Sequence, residues 1–554
     1  MKSTMQETPL TVSRILEHGA SVHAASHITT WTGGTPRRRS FRDVGARAAR
    51  LAHALRGLGV DSDQRVATLM WNNAEHLEAY LAVPSMGAVL HTLNLRLPGD
   101  QVAWIANHAA DHVLIVDGTL LEIVAAILPR LDSVRHIVVN GPGNRDLISG
   151  RGVAVHDYED LISQYPDSFD WPEVDEKSAA VLCYTSGTTG DPKGVAYSHR
   201  SIYLHSLQGN TAESVGMSSR DTVLAVVPMF HVGAWGIPHA AFMSGASLLL
   251  PDRFMQPAAL GDMIEQVRPT LGGAVPSIWT ALLGELDARP RDVSSLRTVV
   301  VGGSACPPSL MRDFEERHGM LLIHAWGMTE TSPLGSLAVP PAGLDPEQAW
   351  AYRVTQGRFP ASVQARLVGP EGEVLAHDGK AVGELQVRGP WITGSYFGGA
   401  GAENLRPEDK FSPDGWLRTG DLGSISPDGY LTLTDRVKDV IKSGGEWISS
   451  VELENHLMAH PAVAEAAVIG VADDRWGERP LAVVVREAGF SDDVYADLYR
   501  FLSTRVARWQ VPERWTSLET LPKTSVGKAD KKALRKDYAE GRFAVSLAPH
   551  TPAQ

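Results

Sequence analysis

Cysteine is scarce in this chain of 554 residues: only Cys183 and Cys306 occur. Two thiols cannot build a zinc cluster or a disulfide framework, and so low a count suits a reducing cytoplasm. Basic charge is short as well. The formal net charge is −13, which argues by bulk electrostatics against a nucleic-acid binder. An anionic ligand would therefore need a local basic site. No uninterrupted apolar run is long enough to span a membrane, and Met1 to Pro9 lacks the apolar core of a signal peptide. Peripheral contact with a membrane surface stays open. There is no internal repeat, no low-complexity tract and no Walker A spacing.

What is present is an ordinary globular composition on a chain too long for one core, so two or more domains are expected. Phe41, Val44, Ala48, Leu51, Leu55 and Leu58 recur at steps of three and four and predict an amphipathic helix that Gly59 ends. Apolar runs at 66–70, 112–116, 136–139, 179–183, 223–227, 247–250, 298–301 and 321–324 alternate with helical patterns. That alternation predicts an α/β architecture with buried strands. The character changes near Asp435. An alternating strand at 430–434 gives way to a Gly444-Gly445 turn, and Ser449 with Glu452 reads as a capping box. Apolar runs at 464–471 and 481–485 follow, then a helical stretch at 494–506 and a basic helix from about Ala529. This reads as a compact α+β module of about a hundred residues.

The most informative segment is the loop Tyr184-Thr-Ser-Gly-Thr-Thr-Gly-Asp-Pro-Lys-Gly194, which follows a predicted buried strand. Glycines let backbone N–H groups approach a phosphate, Thr185, Ser186, Thr188 and Thr189 add hydroxyl donors, and Lys193 adds charge. Alone, such a segment is as easily a linker. Five further motifs follow in order: Pro228-Met-Phe-His-Val-Gly-Ala-Trp235, Trp326-Gly-Met-Thr-Glu-Thr331, Gly415-Trp-Leu-Arg-Thr-Gly-Asp-Leu422, Asp435-Arg-Val-Lys-Asp-Val-Ile-Lys-Ser-Gly-Gly445 and Pro522-Lys-Thr-Ser-Val-Gly-Lys528. Together they resemble the signatures of the adenylate-forming superfamily of acyl-CoA synthetases, adenylation domains and luciferases, over nearly the whole chain.

The resemblance implies a large N-terminal AMP-binding α/β domain (1–434), a hinge (435–440) and a small mobile C-terminal α+β domain (441–545). It implies a reaction in two steps. A carboxylate attacks the α-phosphate of ATP to give an acyl-adenylate and pyrophosphate, and a thiol, usually that of coenzyme A, then displaces AMP. The 185–193 loop, including Gly187 and Gly190, would grip the β- and γ-phosphates. Glu330, with Thr185, would hold Mg²⁺, which needs few carboxylates beside phosphate oxygens. Thr329 would donate to the α-phosphate. Gly303, His324, Ala325 and Trp326 would form the adenine site, with Asp421 and Arg436 on the ribose. Lys528 would bridge the carboxylate and the α-phosphate as the catalytic lysine. Lys438 sits at the hinge position, and Lys442 and Trp447 match residues that touch the adenylate or shape the CoA side. His231, Val232 and Trp235 would line the acyl path, Trp235 as the gate of a fatty-acid tunnel.

Segments 193–200, 302–305 and 443–450 are similar in particular to bacterial medium- to long-chain fatty-acid–CoA ligases, a subgroup with short-chain members acting on 3-methylmercaptopropionate. The main expectation is therefore a fatty-acid–CoA ligase. The alternatives are a ligase for a short-chain, branched or cyclic acid, or an acyl-AMP ligase that loads a carrier protein, although no carrier domain follows in the chain. Gly233 stands where relatives often carry asparagine, which is expected to widen the pocket or loosen the gate. The subgroup also implies a homodimer through the large domain and a cytoplasmic enzyme.

Overall fold

The computed structural model describes residues 1, 3–150, 152–185, 191–444, 446–487, 489–490, 494–525 and 527–547. The apolar runs become strands of two large sheets. The first has the order Ala154–Asp157, His136–Asn140, Asp111–Asp117, Arg65–Leu69, Val89–Thr92, Ala179–Tyr184, Gly194–Ser198, all parallel except the last pair. The second begins as a parallel succession of His27–Thr30, Ser247–Leu250, Thr222–Ala225, Leu271–Ala274, Thr298–Val301 and Leu321–Gly327. It then continues antiparallel through Leu334–Leu337 to Leu417–Ile425 and Tyr430–Arg436. Parallel strands need cover on both faces, which is why their sequences are apolar runs rather than alternations.

Helices Phe41–Gly57 and Ala74–Ser85 pack in the core between these sheets, and every residue of the second is buried. The first starts at a capping box of Ser40 and Asp43 and stops at Gly59, whose φ of +82° suits a residue without a Cβ. Phe41 stacks on Phe242 at 4.1 Å between ring centres. Burying the second helix also buries Glu75 and Glu78. Arg37, Arg39 and Arg47 reach both carboxylates at 2.6–2.8 Å, and Tyr158 donates to Glu78 at 2.7 Å.

Residues 441–547 form a separate small α+β domain. Its sheet is built on the long antiparallel pair Val463–Asp473 and Gly477–Arg486, with helices Ser450–Met458, Val494–Ser503 and Lys531–Ala539. The expected helix over 494–506 ends at Ser503. The capping box is only half made: Ser449 accepts from the Glu452 N–H at 3.1 Å while its hydroxyl donates to Thr434 O at 2.5 Å. Pattern reading missed the antiparallel strands Gln364–Val368 and Gly383–Arg388, whose residues are mixed polar and apolar. Thr419-Gly420-Asp421 has the composition of a turn. That triplet lies inside the nine-residue strand Leu417–Ile425, next to a register shift between Leu422 and Gly423. Among the described residues no helix is long and apolar enough to cross a membrane.

Candidate active site

The carboxyl ends of the parallel strands in both large sheets point to one place. The segments that leave Tyr184, Ala225, Val301 and Gly327 carry sequence motifs, as expected for ligand sites of open α/β sheets. Between them lies a cavity of about 540 Å³, bordered also by the antiparallel strand with Asp421 and by Lys528 from the small domain.

The loop from Thr185 to Lys193 is closed at its base: Thr185 N–H donates to Lys193 O at 2.9 Å, and Lys193 N–H donates to Thr185 Oγ1 at 3.3 Å. Ser186, Gly187, Thr188, Thr189 and Gly190 lie outside the described residues. The Lys193 ammonium sits 5.0 Å from the ring centre of Tyr396, and the Tyr396 hydroxyl donates to Glu330 Oε1 at 2.7 Å. Glu330 is 7% exposed and has no cation within 4 Å among the described residues. A buried carboxylate without a cationic partner, one oxygen already oriented by a tyrosine, fits a site that receives a metal ion. Thr329 is fixed from behind, because Tyr197 OH donates to its carbonyl at 2.7 Å.

On the opposite wall Trp326 Nε1 donates to Asp421 Oδ2 at 2.7 Å and Arg436 Nε donates to Oδ1 at 3.2 Å. Asp421 and Arg436 face one another in register across adjacent strands, and the Asp421 charge holds the guanidinium above its ordinary pKa. Lys528 enters from the small domain: a methyl group built on Gly303, whose φ is +87°, would lie 3.6 Å from Lys528 Cε. Burial pushes the lysine down to about 8, helped by Arg436 and Lys438 and opposed by Asp421. Asn94 Nδ2 donates to Ser525 Oγ at 3.2 Å and ties the same small-domain loop to the large domain.

The 228–236 loop carries the remaining wall. Val232, Gly233, Ala234, Trp235 and Gly236 all have positive φ, between 50° and 74°, a run in which L-residues are strained. The turn lays the Trp235 indole across the strand ends: methyl groups built on Gly273 and Gly302 would lie 3.7 and 3.4 Å from it. At Gly302 the same methyl group would also lie 3.0 Å from Ala325 O, so that position is the tighter of the two. Under the loop, Asn72 bridges the two sheets. Its Nδ2 donates to Ala225 O and Val227 O and its Oδ1 accepts from Met229 N–H, each at 2.8 Å. Burial pushes His231 down to about 3, with Lys528 and Arg96 adding to the effect, so the ring is neutral.

Of the residues singled out from sequence, Thr185, Lys193, His231, Val232 and Trp235 border the cavity, as do Gly303, Ala325, Trp326, Thr329 and Glu330. Asp421, Arg436, Lys438 and Lys528 complete it. Three stand elsewhere. His324 is buried in the strand Leu321–Gly327 and is not on the cavity wall. Lys442 and Trp447 lie on the hairpin Ile441–Ser443 and Glu446–Ile448, at a second cavity that shares Glu384, Arg418 and Val437 with the first. Gly233 does not border the cavity, and its φ of +57° is a conformation that both glycine and asparagine adopt, so the turn suits either residue. Sequence reasoning missed Tyr396, Tyr197 and Asn72. Tyr396 and Asn72 come from segments with no motif of their own and Tyr197 from the 193–200 segment, and only the three-dimensional arrangement shows what each of them holds.

The arrangement gathers lysines, arginines and buried carboxylates around a groove that an elongated phosphate ester could fill. A family model described as AMP-binding enzyme matches residues 16–397, and one described as AMP-binding enzyme C-terminal domain matches residues 452–528. The chain belongs to the AMP-binding enzyme family. It is 44% identical over 544 residues to a 3-methylmercaptopropionyl-CoA ligase of Ruegeria lacuscaerulensis, covering 98% of this chain and 99% of that one. It is 42% identical over 544 residues to a medium-chain-fatty-acid–CoA ligase of Ectopseudomonas oleovorans, covering 98% of both. Among solved structures, the anthranilate CoA ligase AuaEII in complex with anthranoyl-AMP matches with a TM-score of 0.86 at 27% identity, over 98% of this chain and 100% of that one. This AMP-binding enzyme is thus an ATP-using, AMP-forming acyl-CoA synthetase, an acid–thiol ligase.

Proposed function

We propose that the enzyme activates a short carboxylic acid of the 3-methylmercaptopropionate type, in preference to a long-chain fatty acid. The observation that carries this reading is the Trp235 indole lying across the strand ends at Gly273 and Gly302, which narrows the way into the deeper apolar part of the cavity. The relatives at 44% and 43% identity that are 3-methylmercaptopropionyl-CoA ligases support it. It departs from the medium- to long-chain expectation drawn from sequence.

In this reading Lys528 and His231 flank the point where carboxylate and α-phosphate meet. Lys528 supplies positive charge as negative charge builds on the phosphoryl oxygens, Lys193 and the Thr185 end of the loop hold the outer phosphates, and Trp326, Asp421 and Arg436 hold the nucleoside. Glu330 and the Thr185 hydroxyl would hold Mg²⁺, which neutralises phosphate charge when bound. Enclosure by Trp235 and the small domain keeps water from the mixed anhydride. We place the hinge at 435–440. Lys528 borders the first cavity and Lys442 and Trp447 the second, so a rotation about it would exchange one for the other and bring Lys442 and Trp447 to the adenylate for thioester formation.

CoA-dependent AMP release across acids from propionate and 3-methylmercaptopropionate to palmitate tests the reading. Highest kcat/KM is expected on acids of about four to six heavy atoms in the chain, and Trp235→Ala is expected to move the optimum to longer chains. A maximum at palmitate in the unaltered enzyme would overturn it.

A further inference from the structure

The acyl cavity does not end at Trp235. Its wall continues down the strands to Val223 and Leu271, which face each other in register. Leu271 is two residues before Gly273, about 7 Å further from the chemistry at 3.3 Å per residue. Most of this deeper part is apolar, with Val215, Met217, Leu334 and Leu337 on the wall. Two groups break the pattern, His205 and Ser214.

Ser214 lies in the connection between the helix His199–Gly209 and the strand Thr222–Ala225, at the end of the strands away from the motif loops. It is 6% exposed, and its hydroxyl has no hydrogen-bond partner among the described residues. An unpaired buried hydroxyl costs free energy that a valine or alanine there would avoid. His205 is also 6% exposed. Its Nε2 accepts from Leu334 N–H at 3.3 Å. Burial, with His239 nearby, pushes the ring down to about 4, so it is neutral. A neutral imidazole that accepts at Nε2 carries its proton on Nδ1. That Nδ1 packs against Gly236, close enough that a methyl group built there would be 2.6 Å away, so this side of the ring faces the turn at Gly236. The deep cavity therefore holds one unpartnered hydroxyl, that of Ser214, in apolar surroundings.

Resting on the short-acid reading above, we propose that the acyl site selects acids carrying a hydrogen-bond acceptor toward the far end of the chain, an ether, thioether, hydroxyl or carbonyl, over plain alkyl acids of the same length. Such an acceptor meets the Ser214 hydroxyl, which an alkyl tip leaves unpaired. A site built to hydrogen-bond a substrate discriminates against the analogue that lacks the bond, because its own buried polar groups then stay unsatisfied.

The test uses the full-length enzyme and matched acid pairs. In each pair one methylene of an alkyl acid is replaced by oxygen or sulfur, at positions from the third to the seventh chain atom, and CoA-dependent AMP release gives kcat and KM. The expected result is a preference for the heteroatom acid that peaks at one position, roughly three- to tenfold in kcat/KM and mainly in KM, the size of one net hydrogen bond. Ser214→Ala removes an unpaired polar group, so it should fold, and it is expected to cut the preference; Ser214→Thr, which keeps the hydroxyl, is expected to restore it. Good turnover with no preference at any position, or a preference untouched by Ser214→Ala, would overturn the proposal while leaving the ligase reading intact. No AMP release with any acid would overturn both.

Discussion

Two buried clusters of charge in this enzyme are built to opposite rules. Around Glu75 and Glu78 every charge is answered: Arg37, Arg39 and Arg47 bind the carboxylates at 2.6–2.8 Å, and Glu159 closes on Arg47 at 2.6 Å. Although burial opposes it, Glu159 and Glu78 hold Arg47 above its ordinary pKa. Around Glu330 and Asp421 the balance is left open. Lys193 and Lys528 have no carboxylate within 4 Å among the described residues, Glu330 has no cation, and Lys528 is held down to about 8. A charge set that satisfies itself holds a fold together. One that cannot is stable only because something else arrives, and here that partner is a nucleotide with its own phosphates.

The sharpest test removes a member of each set. Glu78→Ala takes away a carboxylate with a fully buried side chain and strands the Arg39, Arg47 and Tyr158 donors. Breaking a buried pair by removing one partner costs about 3–5 kcal/mol, so chemical denaturation should show a loss of that size, with ATP–pyrophosphate exchange by the folded fraction unaltered. Lys528→Ala should do the reverse. Exchange is expected to fall roughly 10²–10³-fold, as for loss of a single charge-stabilising group, while the melting temperature holds or rises. If both variants lost stability equally, the distinction between the clusters would fail.

Titration sharpens the same contrast. Lys528 loses its proton as pH rises through about 8, against 10.5 for the ordinary side chain. Between those values the unfolded chain binds more protons than the folded one, so this group's contribution to stability grows as pH rises. Activity moves the other way: kcat/KM for exchange, which reports the free enzyme, should fall about tenfold per unit above pH 8. A flat profile to pH 9.5 would mean that Lys528 is not the group that supplies the charge.

Asn72 stands between the two kinds of cluster, a neutral clamp that does structural work directly beneath the motif loop. Asn72→Ala leaves one N–H and two carbonyls unpaired, at a cost of about 1–3 kcal/mol. Because those groups belong to 225–229, KM for the acid is expected to rise along with the loss of stability, whereas Glu78→Ala should leave KM alone. The sequence pattern could not point to this residue. An asparagine after a tryptophan has no chemistry of its own, and its partners are more than 150 residues away. The loops themselves were legible because their motifs combine glycine, hydroxyl and lysine residues, types whose chemistry suits a phosphate. The parallel strands were legible because burial on both faces leaves uninterrupted apolar runs. The strand that carries Asp421 was not, because Thr419-Gly420-Asp421 has the composition of a turn and sits in a bulge, with Gly420 at φ +75°, where the pairing with Gly383–Arg388 shifts register.

The smallest expected effect is at Gly233, and it separates backbone from pocket. Read from sequence, a glycine in place of asparagine suggested a wider acyl site. In the folded chain the residue sits at φ +57° and ψ +34° within the left-handed turn, and a methyl group built on it meets nothing within 4 Å. Asparagine tolerates that conformation better than other residues with a side chain, whereas a β-branched residue does not. Gly233→Asn should therefore change stability by less than about 1 kcal/mol and leave the ranking of acids by chain length as it was, while Gly233→Val should cost about 1–3 kcal/mol from backbone strain alone. If Gly233→Asn instead shortened the accepted chain, the asparagine side chain would have to reach the acyl path. The turn that carries Trp235 would then set specificity through its side chains as well as through its backbone.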